Sequence, residues 1–575
     1  MKPVPGGDHR LAATVGKFIG LEAGRSFIIA MVTEVTAEVP AMVRALGFEA
    51  SAMIDLLGEI REAPDGTSRF KRGVSEYPAI GDAAVMLDAE ALRLVSAADG
   101  RATIDIGTLH QDDTLPARIN LDDLLSKHFA VLGTTGVGKS SGTAVILSEI
   151  LAARPDVRIF LLDGHNEYGR CFGAKANVIN SRSFKLPFWL FNFEEMADVV
   201  YGGRPAVAEE LEILAEVIPI AKSMYNQYKA PDRAIRRKGD PRSSGFTIDT
   251  PVPYVMQDLV AQIDERMGRL ENRATRMHYH RLMTRIETIR NDPRYGFMFE
   301  NANVGGDTMG DLLRHLFRLD TPEKPLTVMQ LAGLPAETVD AVVCVLSRLA
   351  FDFGLWSDGA VPLLFVCEEA HRYASADPAS GFHPTRRALT RIAREGRKYG
   401  VFLGLVTQRP AELEPTIIAQ CGTLFAMRMA NDRDQALLRS AISDAATNLL
   451  SFIPTLGTRE VVAFGEGVSV PARMTFRQMP AGLLPRSEAS RDMDGAAAGL
   501  GDPDFVKGVI ERWRGAHMSF KPRPEESERE PEGASHRVPG SVAGVPDADS
   551  DNARFRLLKS RLETALPRGD IPQAR

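Results

Sequence analysis

The sequence predicts an α/β protein built on a parallel sheet, with a β-rich segment before it and a helical block set into it. Three observations lead there. Short apolar runs of buried-strand type (FAVLG, VRIFLLDG, PLTVMQLAG, PLLFVCEE, VFLGLVTQ, TLFAMRMAN) alternate with helical stretches, the pattern that crossover connections produce. A glycine-rich turn follows the first of these runs and opens a helix. A long, charged, helical stretch with no strand of comparable quality interrupts the alternation.

Along the chain, residues 1–115 come first. GKFIGL, SFIIAMVTEVT and ATIDIG are rich in Ile, Val and Thr and are broken by Gly, Asp and Pro, which predicts a small β-barrel. The α/β core is expected over 116–195 and again over 321–484. Residues 196–320 lie between, with DLVAQIDERMGRLENRATRMHYHRLMTRIETIR as their clearest helical text, and read as a helical bundle inserted into the core. Residues 485–575 form a C-terminal extension. Its segment KPRPEESEREPEGASHRVPGSVAGVPDADSD is rich in Pro, Glu, Ser and Gly, a composition that predicts disorder. The last stretch, NARFRLLKSRLETAL, sets Phe555, Leu558, Leu562 and Leu566 near one helical face, which reads either as a tether for a partner or as an idle, fraying terminus.

With 575 residues the chain has room for two to four domains. Its apolar runs stop well short of the ~18 residues that cross a bilayer, and MKPVPGGDHR has no apolar signal region, so a cytoplasmic protein with no membrane contact is expected. Four cysteines are scattered without a CxxC pair, which argues for a reduced protein without structural zinc or disulfides. The net charge of −6 excludes a basic nucleic-acid coat. Any DNA contact must come from a local patch, because charge beyond a Debye length is screened.

The turn after FAVL is Gly133-Thr134-Thr135-Gly136-Val137-Gly138-Lys139-Ser140, a full match to GxxxxGK[ST], with Ser141 next. Glycines there let backbone N–H groups turn inward around phosphates, and the helix N-terminus adds partial positive charge. Lys139 is expected on the β- and γ-phosphates of ATP and the Ser140 hydroxyl on Mg²⁺. The pattern is a P-loop, and with the alternating strands it predicts a RecA-like ATPase core. The run LLFVC ends in Glu368-Glu369. Glu368 is assigned to the metal and its water shell, Glu369 to the attacking water. The next strand ends in Thr407-Gln408, and Gln408 is expected to sense the γ-phosphate. Between these strands TRRALTRIAREGRKYG repeats cations at helical spacing. Most such faces are only solvated, but a ring ATPase must lend an arginine to its neighbour. Arg394 is preferred for that role, with Arg397 the alternative.

In order, LLSKHFAVLGTTGVGKS, LLDGHNEY, LPFWLFNFEE, FVCEEAH, REGRKYG and VTQRP resemble the successive motifs of HerA-type ATPases of the HerA/FtsK superfamily. The β-rich N-terminus resembles that family's HAS barrel. The resemblance implies a homohexameric ring that binds ATP between subunits and translocates or unwinds double-stranded DNA. It also implies a partner, a nuclease or a sirtuin-type or other effector, in DNA-end processing or antiviral defence. Asp163, in DGHNEY where the family usually reads DPHGEY, is placed near the nucleotide; Gly164 and Asn166 depart from that pattern, and Lys127 falls where a basic residue is usual. Two other functions fit the core: an ATPase scaffold that activates an effector, and a conjugative or secretion ATPase. Arg372, after the acidic strand, is a candidate phosphate contact to DNA.

Overall fold

A computed structural model describes residues 14–486 except 25, 39–48, 63–65, 97–100, 181–182, 203, 230–244, 301, 303–305, 335, 378–382 and 442–447, together with 506–508, 510 and 511. The expected disorder and terminal helix of residues 512–575 lie outside the described residues.

The N-terminal strands β1 (Phe18–Ala23), β2 (Ser26–Glu38), β3 (Glu49–Glu62), β4 (Ser68–Arg72) and β5 (Ala84–Met86) form an antiparallel sheet in the order β4-β3-β2-β1-β5. Register shifts between β2 and β3 at Ile29/Ala30 and Val32/Glu34 are bulges, which bend and twist a strand pair. Ile28, Ala30 and Val32 of β2 pack with Ile19 and Leu21 of β1 in a small separate core. Ile29 and Met31, pointing the other way, join the main core. Both faces of β2 are therefore buried.

The second sheet has eleven strands: β6 (Thr103–Leu109), β7 (Pro116–Asn120), β8 (Phe129–Leu132), β9 (Arg158–Asp163), β10 (Ala176–Ile179), β11 (Leu326–Gln330), β12 (Leu363–Glu368), β13 (Val401–Thr407), β14 (Thr423–Ala426), β15 (Glu460–Gly465) and β16 (Ala472–Phe476). Their order is β10-β11-β9-β12-β13-β8-β14-β15-β16-β6-β7. From β10 to β14 every neighbouring pair is parallel; from β14 to β7 every pair is antiparallel. Apart from the edge strand β10, the parallel strands are mostly buried, β8, β11, β12 and β14 at every position, which explains why they read as continuous apolar runs.

One strand is placed differently from the sequence reading. ATIDIG, expected in the N-terminal barrel, is β6, and it pairs with β16 at the far edge of the large sheet. Gly107 permits this approach, since a Cβ there would collide with the Thr475 carbonyl.

Between β10 and β11 the described residues hold no strand. Their main helices span Phe193–Tyr201, Ala208–Lys229, Met256–Gly268, Arg273–Asn291 and Met309–Phe317. The motif FNFEE anchors this block. Asn192 and Glu195 form a capping box at the start of the first helix. Glu195, fully buried, also receives Arg348 Nε at 2.8 Å and Nη2 at 2.9 Å from the helix Ala336–Trp356. Arg348 completes the junction by donating to Leu190 O at 2.7 Å. Among the described residues no helix is long and apolar enough to cross a membrane, and all four cysteines are free and buried.

Candidate functional site

Four neighbouring parallel strands, β9, β12, β13 and β8, end on the same side of the sheet. Their C-terminal ends carry Asp163, Glu368-Glu369, Gln408 and the P-loop respectively, at the edge where open α/β sheets bind ligands.

The P-loop is shaped by glycine and braced from outside. Gly136 and Gly138 have φ of 77° and 99°, conformations that side chains resist. The helix Lys139–Ala153 begins without a side-chain cap, leaving its first N–H groups for an anion. Arg428 O accepts from Thr134 N at 3.0 Å and Oγ1 at 3.1 Å. Arg459 N donates to Val137 O at 2.9 Å. A Cβ on Gly133 would lie 2.8 Å from Met427 Cβ. Segments 427–428 and 459, beyond β14 and before β15, thus hold the loop open.

Inside this frame Lys139 Nζ donates to Thr134 O at 2.9 Å. Burial lowers its pKa, and the charges of Glu369, Glu368 and Glu167 oppose that shift. Ser140 Oγ donates to Glu167 Oε2 at 2.8 Å. Thr135 Oγ1 donates to Gln408 Oε1 at 2.5 Å, so the tip of β13 already touches the P-loop.

Glu368 is buried at the end of β12 and accepts from Gly164 N at 3.0 Å. Burial, then the charges of Asp163, Glu167 and Glu369, push its carboxyl well above the ordinary range. Glu369 adopts φ 51°, ψ 42°. Its Oε1 lies 3.8 Å from His165 Nδ1 and its Oε2 3.2 Å from His371 Nδ1. Burial raises the Glu369 pKa, against the pull of Lys139, His165 and Arg372. Asp163 is adjacent, but both its oxygens are taken: Oδ1 by Glu167 N and Oδ2 by Tyr168 N, each at 3.0 Å. Its carboxylate shapes the turn that presents Glu167, next to the P-loop edge where it was expected.

The basic helix His383–Glu395 precedes β13, so Arg394 and Arg397 lie at the opposite end of that strand from Gln408. Its seven residues span roughly 20 Å at about 3.3 Å each. Neither guanidinium reaches the P-loop of its own chain. Arg386, Arg387 and Arg391 have acidic neighbours in Glu414, Glu194 and Asp352. Arg394 and Arg397 are exposed and have no acidic group within 4.0 Å among the described residues. Lys127 forms an ion pair with Glu466 away from the nucleotide edge. Arg372 is exposed on the turn after Glu369.

Several neighbours were not picked out from sequence: His165, His371, Arg428, Arg459 and His128, which ties the base of β8 to β13. Only His371, three residues after Glu368, had a local signal; the rest arrive through strand order.

Residues 104–350 match the family model of the central domain of helicase HerA. The chain is 25% identical over 456 residues to the DNA double-strand break repair helicase HerA of Pyrococcus furiosus, covering 74% of this chain and 77% of that protein. Its central part is thus similar to the HerA central domain, and the similarity to HerA helicases supports an ATPase. A probable DNA double-strand break repair helicase HerA of Methanocaldococcus jannaschii is also 25% identical, over 410 residues, 64% of this chain and 75% of the relative. Among solved structures, VirB4 of Thermoanaerobacter pseudethanolicus covers 68% of this chain and all of its own, with 14% identity and a TM-score of 0.46.

For an ATPase the divalent ion raises a question of fit. No group of three His, Cys, Asp or Glu side chains could hold a metal alone among the described residues. Mg²⁺ needs less, since it keeps waters and takes phosphate oxygens plus one or two protein ligands. Ser140 Oγ beside Glu167, with Glu368 behind, is an all-oxygen set suited to it. Burial raises the carboxyl pKa values of Asp163, Glu368 and Glu369, and a divalent ion bound beside them would favour their charged forms.

Proposed function

We propose that this HerA-type ATPase is a ring-forming motor driven by ATP hydrolysis on double-stranded DNA. The observation that carries the reading is the division of the site across one sheet. The P-loop, Glu368-Glu369 and Gln408 meet at one end, and two exposed arginines with no acidic neighbour among the described residues stand at the other. A chain so built needs a neighbour to complete its site.

In this reading residues 133–141 wrap the triphosphate through backbone N–H groups, and Lys139 neutralises charge on the β- and γ-phosphates. Mg²⁺, when bound, supplies charge stabilisation to the phosphate oxygens, with Ser140 as ligand and Glu368 holding its water shell. Glu369 orients the attacking water and accepts its proton on Oε2, an atom without a hydrogen bond; the γ-phosphorus gains the water oxygen and loses the bridging oxygen. A base with a raised pKa suits that task near neutrality. Gln408, now on Thr135, is positioned to exchange that partner for the γ-phosphate. Arg394 or Arg397 of the adjacent copy stabilises charge in the transition state.

The names of the relatives support DNA as the track, and the resemblance supports six copies with a nuclease or other effector bound to them. ATP turnover by the full chain is to be measured with and without linear duplex. Several-fold stimulation is expected, lost in Lys139→Ala; turnover indifferent to duplex at every salt concentration would favour a secretion ATPase. Effector activity surviving in Lys139→Ala would favour a scaffold.

A further inference from the structure

We propose that His371 is a positioning residue for hydrolysis, holding Glu369 against β13 so that the water-activating carboxylate follows the strand tip bearing Gln408. The inference rests on the reading of Glu369 as the base.

Glu369 is the first residue beyond β12, and its left-handed conformation is rare for a residue with a side chain. Two residues on, within the turn Ala370–Arg372, His371 brings Nδ1 to 3.2 Å from Glu369 Oε2 and 3.0 Å from Thr407 Oγ1. Thr407 is the last residue of β13, and its neighbour Gln408 is held by Thr135 of the P-loop at 2.5 Å. Hydrogen bonds and chain continuity therefore link the P-loop through Gln408 and Thr407 to His371, whose Nδ1 lies 3.2 Å from Glu369 Oε2, an oxygen that makes no hydrogen bond itself.

One ring nitrogen faces two oxygens. Carrying hydrogen, Nδ1 can serve Thr407 Oγ1 or Glu369 Oε2, but not both well. Thr407 Oγ1 also receives Arg409 N–H at 3.1 Å, so it is already partly supplied. Directed at Oε2, the N–H fixes the carboxylate and lowers its basicity; directed at Thr407, it leaves Oε2 free to take a proton. A shift of the β13 tip, such as Gln408 leaving Thr135 for a phosphate, changes which oxygen is served. Burial keeps the ring neutral, with a pKa lowered to about 4, so the link works by hydrogen bonding.

The test uses the full chain with His371→Leu, His371→Asn and Thr407→Val, measuring kcat, KM for ATP and affinity for a non-hydrolysable ATP analogue. Asparagine keeps an N–H near the Nδ1 position, and valine matches the shape of threonine without its hydroxyl. For His371→Leu, kcat should fall on the order of tenfold to a hundredfold, the scale of a misplaced reacting group, with KM and analogue affinity unchanged. His371→Asn should recover most of the rate. The double variant His371→Leu/Thr407→Val should be no slower than His371→Leu, because both break one path. Wild-type kcat in His371→Leu, equal impairment in His371→Asn, or multiplying effects in the double variant would each overturn the proposal. Glu369→Gln is the separate control: if it hydrolyses ATP normally, the reading of Glu369 itself fails. If Glu369→Gln is inactive and His371→Leu fully active, only the positioning role is lost.

Discussion

Acidification should destabilise this chain through His128. The residue precedes β8 with φ 57°, and both ring nitrogens are used: Nδ1 accepts from Leu403 N at 2.9 Å, and Nε2 donates to Ala393 O at 3.0 Å. That fixes the neutral tautomer, because a proton on Nδ1 would face another N–H. Burial, aided by the charge of Arg397, lowers the pKa from 6.5 to about 4. Below 6.5 the unfolded chain binds a proton that the folded one refuses, so stability falls as pH drops and levels off below the folded pKa. Between pH 7 and pH 5 the loss is about 2 kcal/mol, at roughly 1.4 kcal/mol per pKa unit. The assay is urea unfolding of wild type and His128→Asn across that range; asparagine tolerates the left-handed backbone. The gap between the two proteins should narrow by about that amount on acidification. A gap independent of pH would refute the reasoning.

Three further outcomes follow from the same contacts. Arg348→Met strands the buried Glu195 carboxylate and should cost about 3–5 kcal/mol of stability, read by urea unfolding; adding Glu195→Gln should recover part of it. Arg394→Ala/Arg397→Ala should bind ATP without turnover, and mixing it with inactive Lys139→Ala should restore some hydrolysis, since each copy lends what the other lacks; no recovery in mixed rings would count against an arginine supplied in trans. Gly142→Val, whose Cβ would lie 2.7 Å from the Phe476 ring, should lower the thermal midpoint and nucleotide affinity together by displacing the P-loop helix; an unchanged midpoint would count against that packing.

The parts of the site legible in the sequence are those whose chemistry is local. The P-loop glycines, Lys139 and Ser140 lie within eight consecutive residues, and Glu368-Glu369 and Thr407-Gln408 end apolar runs that read as buried strands. The helical block was visible because no strand-like text interrupts it. Other features depend on strand order. β6 looks like its β-rich neighbours in sequence, yet its partner β16 lies more than 350 residues further on. Glu167 meets Ser140 only because β9 and β8 end on the same side of the sheet. The basic helix shows the same limit: periodicity groups its arginines, but only tertiary contacts with Glu194, Asp352 and Glu414 separate the engaged ones from Arg394 and Arg397.

The central claim, that nucleotide hydrolysis moves this chain along duplex DNA, is tested most directly by displacement of a third strand from a triplex-bearing duplex. Wild type should release the strand only with ATP and a free duplex end, while Glu369→Gln binds ATP and releases none. Vigorous ATP hydrolysis with no strand release, or release by Glu369→Gln equal to wild type, would contradict the account.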